Sequence, residues 1–511
     1  MLVDQYHASI SVKALLAGFV ASDLLDDCDD VQIGGLAIDS RKTKKDDLFF
    51  ACQGEMAHGL KYADAAVSNG AVTVVWDECE DCEAIISAVS QQVNCLYCQD
   101  LRMKMGQIAD RFYAHPSAQL NVIGVTGTNG KTSIAHFIAQ SMGEADKRCG
   151  VLGTLGNGFL GELNKTGLTT ADALSVHRDL EMLRANHAET VVMEVSSHGL
   201  HQGRVNGVVF DAAVFTNLSH DHLDYHKTLS AYAEVKRQLF FMPGLKTAVI
   251  NLDDEYGRTL AKECKSHLTV WGYSVLDGSE SWQDCADYLV QASSVKAVAR
   301  GFEVSVKTPQ GDGDLFVPLL GKFNVSNVLA VLSILLINHR SLEQSLKKLS
   351  DVLPVPGRME VVAVNHAPTV VVDFAHTPDA LEEACKAVKE HFDGQLWCVF
   401  GCGGDRDRSK RPLMAKVAQD FADQVIVTSD NPRSENPQNI VDEIVAGFDV
   451  RSMVNVIMDR REAIAYAINS AQKNDVVLLA GKGHESVQIV GKEVFEFDDR
   501  LVARECLEMR Q

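Results

Sequence analysis

The stretch GVTGTNGKTS, Gly124 to Ser133, carries residues suited to holding a nucleotide. It follows the apolar run NVIGV and precedes a helical pattern beginning at Thr132. Successive backbone N–H groups in such a turn bind phosphate oxygens, a lysine neutralises β/γ charge and a hydroxyl coordinates Mg²⁺. Gly127, Thr128, Asn129, Gly130, Lys131, Thr132 and Ser133 are in place, whereas the first glycine of a strict Walker A spacing is replaced by Val125. A Gly-Lys-Thr turn also arises by chance, but the strand before it and the helix after it favour nucleotide binding. Two further groups end later strands: Glu194 closes VVMEV, and FTNLSHDHLDYH carries His220, Asp221, His222, Asp224 and His226. That loop reads as a polar surface turn, as a zinc site through the H-x-H pair, or as oxygen ligands and one imidazole around Mg²⁺. The last is favoured beside a phosphate-binding turn. Lys236 lies on a helical stretch where a lone lysine is ordinarily a solvated charge.

The elements needed to position these groups alternate. Residues 1 to about 100 mix short strands (VQIGGLAIDS, DLFFACQG, AVTVVW) with a helix near Leu60 to Asn69, and a second helix carries Met103 to Tyr113. A fresh α/β region starts near Asn121, with further apolar strands at ETVVMEV, DAAVFTNL, TAVINLD and LTVWGY and helices between, as in a largely parallel sheet. After LPVPGRME the alternation resumes with helices from Pro378, from Pro412, near Asn439 and from Arg461. This is the pattern of a Rossmann-like, doubly wound domain, although no G-x-G-x-x-G follows its first strand. Its strand ends read DFAHTPD, GCGGDRDRSKR, SDNPRSENP and GKGHES, and ligands collect at such ends. The expected organisation is α/β in three domains, 1–100, 101–350 and 351–511.

Composition limits the partners. The 511 residues carry a net charge of −21, which disfavours nucleic acid as the main partner. The longest apolar stretch, near Val328 to Ile337, is far short of the ~20 residues of a membrane span. The first residues lack the pattern of an export signal, so a cytoplasmic location is expected. Cys79 and Cys82, then Cys95 and Cys98, repeat a C-x-x-C spacing among 13 cysteines. They read either as a four-thiolate zinc site or, as favoured here, as packed thiols.

In order, TGTNGKT, EVSSHGL, TNLSHDHLDYH, YAEVKRQLF, GKFNVSN, PGRME and DFAHTPD resemble the Mur ligases over essentially the whole chain. Folylpolyglutamate synthetases share the phosphate-binding turn and architecture, but IDSR…DDLFFACQG and the C-terminal motifs resemble the diaminopimelate-adding Mur ligases. The resemblance implies an N-terminal uridine-binding domain, a central P-loop ATP-binding domain and a C-terminal amino-acid-binding domain. It implies an ATP-dependent ligase of peptidoglycan precursor synthesis, joining the D-glutamyl carboxylate of UDP-MurNAc-L-Ala-D-Glu to meso-diaminopimelate through an acyl phosphate. ATP, two Mg²⁺ ions and a CO₂-derived carbamate on Lys236 would serve it, and a monomer is expected. The metal set would be Thr132, Glu194, His222 and the Lys236 carbamate, with Lys131 beside the transferred phosphoryl group. Asn251, Asn324, Asn327, Arg358, Asp373 and His376 would border ATP. Ile38 and Ser40 match the uridine pocket. Glu55, Met56 and Ala57 stand where relatives often read His-Gln-Ala. Thr169, Thr170, Ser196, Gln202 and Arg204 match positions for the muramoyl dipeptide. Asp430, Asn431, Pro432 and Arg433 form the DNPR motif of diaminopimelate-adding members, where a guanidinium would clamp the distal carboxylate. Arg406, Gly481 and Glu485 would complete that pocket. A lysine-adding ligase, a folylpolyglutamate synthetase and a P-loop switch protein are the competing readings.

Overall fold

A computed structural model of the chain describes residues 9–26, 28, 31–54, 57–80, 82–143, 148–275, 282–298, 301–364, 367–449 and 454–510. It divides into two compact units, one of Met1–Thr126, Met142–Ala213 and Val235–Lys246, the other of Gly127–Ser141, Val214–Glu234 and Thr247–Gln511.

The first unit opens with a parallel sheet in the order Gly35–Ala37, Asp47–Ala51, Ala71–Trp76, Asn94–Tyr97. Successive side chains on a strand point to opposite faces, and DLFFA is buried throughout because both faces are covered. Leu48 and Phe50 pack with Ile108 and Phe112 of the helix Leu101–Phe112. Phe49 and Ala51 pack with Leu60, Ala63 and Ala66 on the other side. The helix expected near Leu60 to Asn69 begins as a 3₁₀ turn, Gly59–Tyr62, and continues as Ala63–Ser68. The same parity separates the cysteines. Cys95 and Cys98 are three apart, so Cys98 joins the first cluster and Cys95 the second. The four C-x-x-C sulfurs do not converge. A second parallel set follows, Asn121–Thr126, Ala188–Glu194 and Arg148–Gly153, with Gly156–Phe159 antiparallel beyond.

In the second unit Thr247–Asn251, Thr269–Ser274 and Tyr288–Val298 are parallel neighbours. The sheet then departs from the expected parallel pattern, because Gly301–Thr308 and Gly311–Val317 add antiparallel strands. Helix Lys322–Ile337 holds the long apolar run and is buried on nearly all sides, the mark of a core helix. Among the described residues no helix is long and apolar enough to cross a membrane.

The C-terminal six-stranded sheet runs Glu360–Val362, Thr369–Asp373, Val476–Ala480, Leu396–Phe400, Gln424–Val427, Val454–Val456. Its first pair is antiparallel and the rest are parallel. Helices Pro378–His391, Lys410–Phe421 and Pro437–Val445 cover one face, and Arg460–Ser470 and Asp499–Met509 the other. This is the doubly wound arrangement anticipated. Thr377 caps the first of these helices, its hydroxyl accepting from Ala380 N at 3.3 Å with Pro378 at the first helical position. The strand order reverses between Thr369–Asp373 and Leu396–Phe400, which open sheets use as a ligand crevice.

Candidate functional site

The phosphate-binding turn lies in the second unit, at the start of helix Lys131–Met142. Gly127 has φ 144°, and a Cβ there would collide with the Thr216 hydroxyl. Gly130 has φ 89°, and a Cβ would come within 2.7 Å of Asn327 Oδ1. Both positions therefore require glycine. The turn is laced to the segment after strand Ala212–Phe215. Thr216 Oγ1 donates to Asn129 O at 2.5 Å, Asn217 Oδ1 accepts from Asn129 N at 2.9 Å, and Thr128 N donates to Asn217 O at 2.8 Å. Lys131 Nζ donates to Gly127 O and Thr128 O, each at 2.8 Å, which curls its ammonium back over the turn.

Several residues expected around ATP belong to this unit. Asn251 Nδ2 donates to Thr216 O at 2.8 Å, and Asn327 Nδ2 to Asn324 Oδ1 at 3.0 Å. The Arg358 guanidinium reaches Thr132 Oγ1 at 3.3 Å and stacks over Phe374, 4.5 Å from the ring centroid. Asp373 accepts from Met359 N at 2.8 Å, which fixes the backbone beside Arg358. Burial pushes the Asp373 carboxyl up, and Arg358 opposes the shift. His376 Nδ1 donates to Phe374 O at 2.9 Å. Burial and then Lys410 hold that imidazole below its usual range. His222 begins the short helix Leu223–His226 at φ 53°. Burial alone would raise the Asp221 carboxyl, but His222, His376, Lys410 and Lys131 outweigh it and keep the carboxyl low. The phosphate-binding turn and the loop after Asp373 thus share one electrostatic neighbourhood.

In the first unit Glu194 is fully buried, its carboxylate accepting from Thr154 N at 2.8 Å and Thr154 Oγ1 at 3.1 Å. Thr154 also bonds Thr169 at 3.1 Å. Thr170 Oγ1 donates to Glu194 O at 2.8 Å and lies 3.0 Å from Ser196 Oγ. Arg204 donates to Thr170 O at 2.7 Å and through Nε and a terminal nitrogen to Gln202 Oε1. All five residues matched to the muramoyl dipeptide therefore form one hydrogen-bonded chain around Glu194. Lys236 is only 1% exposed, an uncommon place for an ammonium. Ser40 is buried and anchored through its carbonyl to Asn69 Nδ2 at 2.8 Å, whereas Ile38 is exposed. Ala57 O accepts from Gly54 N at 3.0 Å, and Glu55 and Met56 lie outside the described residues. Among the described residues the three-ligand metal grouping is His58, Cys79 and Cys82, and it includes none of the His220 loop.

The third group occupies the carboxyl ends of the C-terminal sheet. Asn431 Nδ2 donates to Glu485 at 2.7 Å, while its Oδ1 accepts from Ile489 N at 2.9 Å and from Lys482 Nζ at 3.2 Å. Gly481, at φ 112°, brings the chain within 2.7 Å of Asp430 Oδ2, measured from where a Cβ would stand. Pro432 leads into Arg433, whose backbone sits at φ 50° between Ile489 O and Gly491 N of the hairpin Val487–Val490 and Glu493–Glu496. Arg433 donates to Gly404 O at 2.8 Å, in the loop that carries Arg406. Burial, then the Arg406 charge, depresses the Arg433 guanidinium from its usual range. Burial, then Asp430, raises the Glu485 carboxyl. Sequence reasoning missed Lys482, fully buried between Asn431, Glu485 and Val487 O, although it stands inside GKGHES. It also missed Thr154 and the clamping hairpin.

Comparison with known proteins agrees with this arrangement. Residues 32–113 match the model "Mur ligase family, catalytic domain", 125–335 "Mur ligase middle domain", and 357–483 "Mur ligase, glutamate ligase domain". The chain belongs to the Mur ligase family and has its three-domain α/β fold. It is 46% identical over 478 residues to the UDP-N-acetylmuramoyl-L-alanyl-D-glutamate--2,6-diaminopimelate ligase of Coxiella burnetii, covering 94% of this chain and 96% of that protein. The protein of the same name from Haemophilus influenzae is 42% identical, with 97% and 100% covered. A solved structure of a ligase of that name superposes with TM-score 0.69 at 37% identity, covering 98% and 99%. The folylpolyglutamate synthase of Mycobacterium tuberculosis shares the fold at TM-score 0.61 and 18% identity, covering 74% of this chain.

Proposed function

We propose that the chain is an ATP-dependent ligase that joins the D-glutamyl carboxylate of UDP-MurNAc-L-Ala-D-Glu to meso-diaminopimelate, in the cytoplasm, as a step of peptidoglycan precursor synthesis. The observation that supports the choice of amino acid is the half-buried Arg433 guanidinium, which feels the charge of Arg406 and the opposing charges of Glu485 and Asp430. A half-buried guanidinium weakened by a second one gains most from a carboxylate, and two parallel N–H bonds suit that group. Glu485 suits the ammonium at the same end of the molecule. Lysine lacks the second carboxylate and would leave the Arg433 fork without that partner.

The chemistry follows from the remaining groups. The substrate carboxylate attacks the γ-phosphorus of ATP in line, ADP leaves, and the amine of diaminopimelate displaces phosphate from the acyl phosphate. Lys131 and the turn amides stabilise the charge spreading over the phosphoryl oxygens. Arg358 orients the Thr132 hydroxyl at the helix start. The donor types fit Mg²⁺: Glu194, His222 and Lys236 as its carbamate would serve one ion, and Thr132 the ion on the nucleotide side. An ammonium cannot ligate a cation, so Lys236 suits this role only after reaction with CO₂. Bound there, Mg²⁺ would neutralise developing negative charge. The network Thr169, Thr170, Ser196, Gln202 and Arg204 supports binding of the muramoyl dipeptide, and Ile38, Ser40 and Ala57 that of uridine. Division at about residues 100 and 350 into uridine, ATP and amino-acid domains belongs to the same reading.

Phosphate release with ATP, Mg²⁺ and UDP-MurNAc-L-Ala-D-Glu, compared between meso-diaminopimelate and L-lysine, tests it. Turnover with diaminopimelate alone is expected. Equal turnover with lysine would overturn the assignment of Arg433, and silence with both would overturn the ligase.

A further inference from the structure

The Mur-ligase chemistry leaves one cluster unused, in the N-terminal part of the first unit. A ring nitrogen of His58 and the sulfurs of Cys79 and Cys82 lie within 4.8 Å of one another. His58 and Cys82 are buried and Cys79 partly so. His58 lies 2.8 Å through Nε2 from Asp77 Oδ1, and its Nδ1 accepts from Leu60 N at 3.1 Å. These two bonds are consistent only if the proton sits on Nε2 and the lone pair on Nδ1. A metal-bound histidine has this form, its far nitrogen donating to a carboxylate that fixes the tautomer. Cys79 and Cys82 are joined sulfur to sulfur in this structure.

We propose that, with this pair reduced, His58, Cys79 and Cys82 form a binding site for a soft divalent cation, zinc above all, with Asp77 as the positioning carboxylate. Two thiolates and one imidazole are the donors zinc prefers, and a solvent molecule would complete four-coordination. Reduction by a phosphine balances: the disulfide gains two electrons and two protons, and the phosphine takes oxygen from water. Each thiol then gives its proton to solvent as the cation binds, and Nδ1 exchanges the Leu60 N–H for the metal. The turn after strand Ala71–Trp76 would thereby be tied to the turn Gly59–Tyr62.

The test uses the full chain, reduced with tris(2-carboxyethyl)phosphine and loaded with Zn²⁺ or Co²⁺ alone before gel filtration. The wild type is expected to keep one metal more per chain than the Cys79→Ser/Cys82→Ser variant. Its cobalt form should show a thiolate-to-metal charge-transfer band that the double variant lacks, which separates this site from any oxygen-ligated metal. Asp77→Asn, with folding checked by circular dichroism, should weaken binding about 10- to 100-fold. His58→Gln should weaken it at least as much. Equal metal content in wild type and double variant, absence of the band, or unchanged affinity in His58→Gln would each overturn the proposal.

Discussion

Asn431 donates to the Glu485 carboxylate at 2.7 Å and, through its other amide atom, accepts from the buried Lys482 ammonium at 3.2 Å. One neutral side chain thus bridges an anion and a cation that also meet each other at 3.3 Å, and holds both in place. Asn431→Asp removes the donor and sets a second carboxylate against Glu485. A hydrogen bond to a charged group is worth about 1.5–3 kcal/mol, roughly 10- to 150-fold in an equilibrium. A loss of that size is expected in kcat/KM for diaminopimelate, with KM for ATP unchanged. Steady-state phosphate release at varied diaminopimelate and ATP measures both.

Glu485 also predicts a pH dependence. Burial, then Asp430, raises its carboxyl, so the protonated form persists above the usual carboxylate range. Only the ionised form pairs with the distal ammonium. KM for diaminopimelate should therefore fall as pH rises through this raised pKa, and Glu485→Gln should remove that limb. For stability the sign is opposite: the folded state holds this proton more tightly than the unfolded one. The group's contribution thus declines as pH rises from the unfolded pKa through the folded one.

What could be read from the sequence was whatever is local along the chain. The turn Gly127–Thr132 and the DNPR motif each fit within a few consecutive residues, and helices after Pro378 and around Arg461 announce themselves by proline placement and periodicity. Thr154 escaped because its partner Glu194 is 40 residues away, and Asn217 because it meets Asn129 across 88. Nothing local marks either. Lys482 escaped because a lysine is expected in solvent, and only the assembled loops reveal two acceptors and a carbonyl around it. The four-thiolate reading, not the favoured one, fails because Cys95 and Cys98, an odd spacing apart, join different clusters, while Cys79 and Cys82 are bonded to each other rather than left as packed thiols.

Arg433→Lys keeps the charge but loses the planar fork, and Arg433→Ala loses both. Truncating one partner of a buried charge pair costs about 2–5 kcal/mol, roughly 30- to 4,000-fold. The alanine variant should fall in that range in kcat/KM for diaminopimelate, and the lysine variant between it and wild type. Turnover of L-lysine should change little in either. Comparing the two amino acids in one assay isolates the distal carboxylate, and equal losses on both would contradict its pairing with Arg433.

Gly130→Ala tests the phosphate-binding turn without removing a functional group. At φ 89° an L-residue is strained, and the new Cβ would press on Asn327 Oδ1. Such strain costs about 1–3 kcal/mol. The expected result is a higher KM for ATP together with a lower denaturation midpoint. Gly161→Ala has φ 88° but open space around it, and should lower the midpoint without touching ATP binding.

The ion pair of Arg460 and Asp499 tests the support beneath the amino-acid pocket. Both side chains are fully buried, with Nε and a terminal nitrogen donating to the two carboxylate oxygens at 2.8 and 2.6 Å. The same guanidinium donates to Ala480 O at 3.0 Å, one residue before Gly481. Asp499→Ala leaves a buried cation without its counter-charge, at a cost of about 3–5 kcal/mol. Chemical denaturation should show a lower midpoint, the C-terminal sheet losing its share of the transition first. Because Ala480 leads directly into Gly481 and Lys482, loosening Arg460 should also raise KM for diaminopimelate. Arg460→Met with Asp499→Leu removes both charges together and should recover most of the stability, since matched apolar groups in a dry site cost little. If that double variant regains stability but not affinity for diaminopimelate, the bond to Ala480 O is what holds the pocket loop in place.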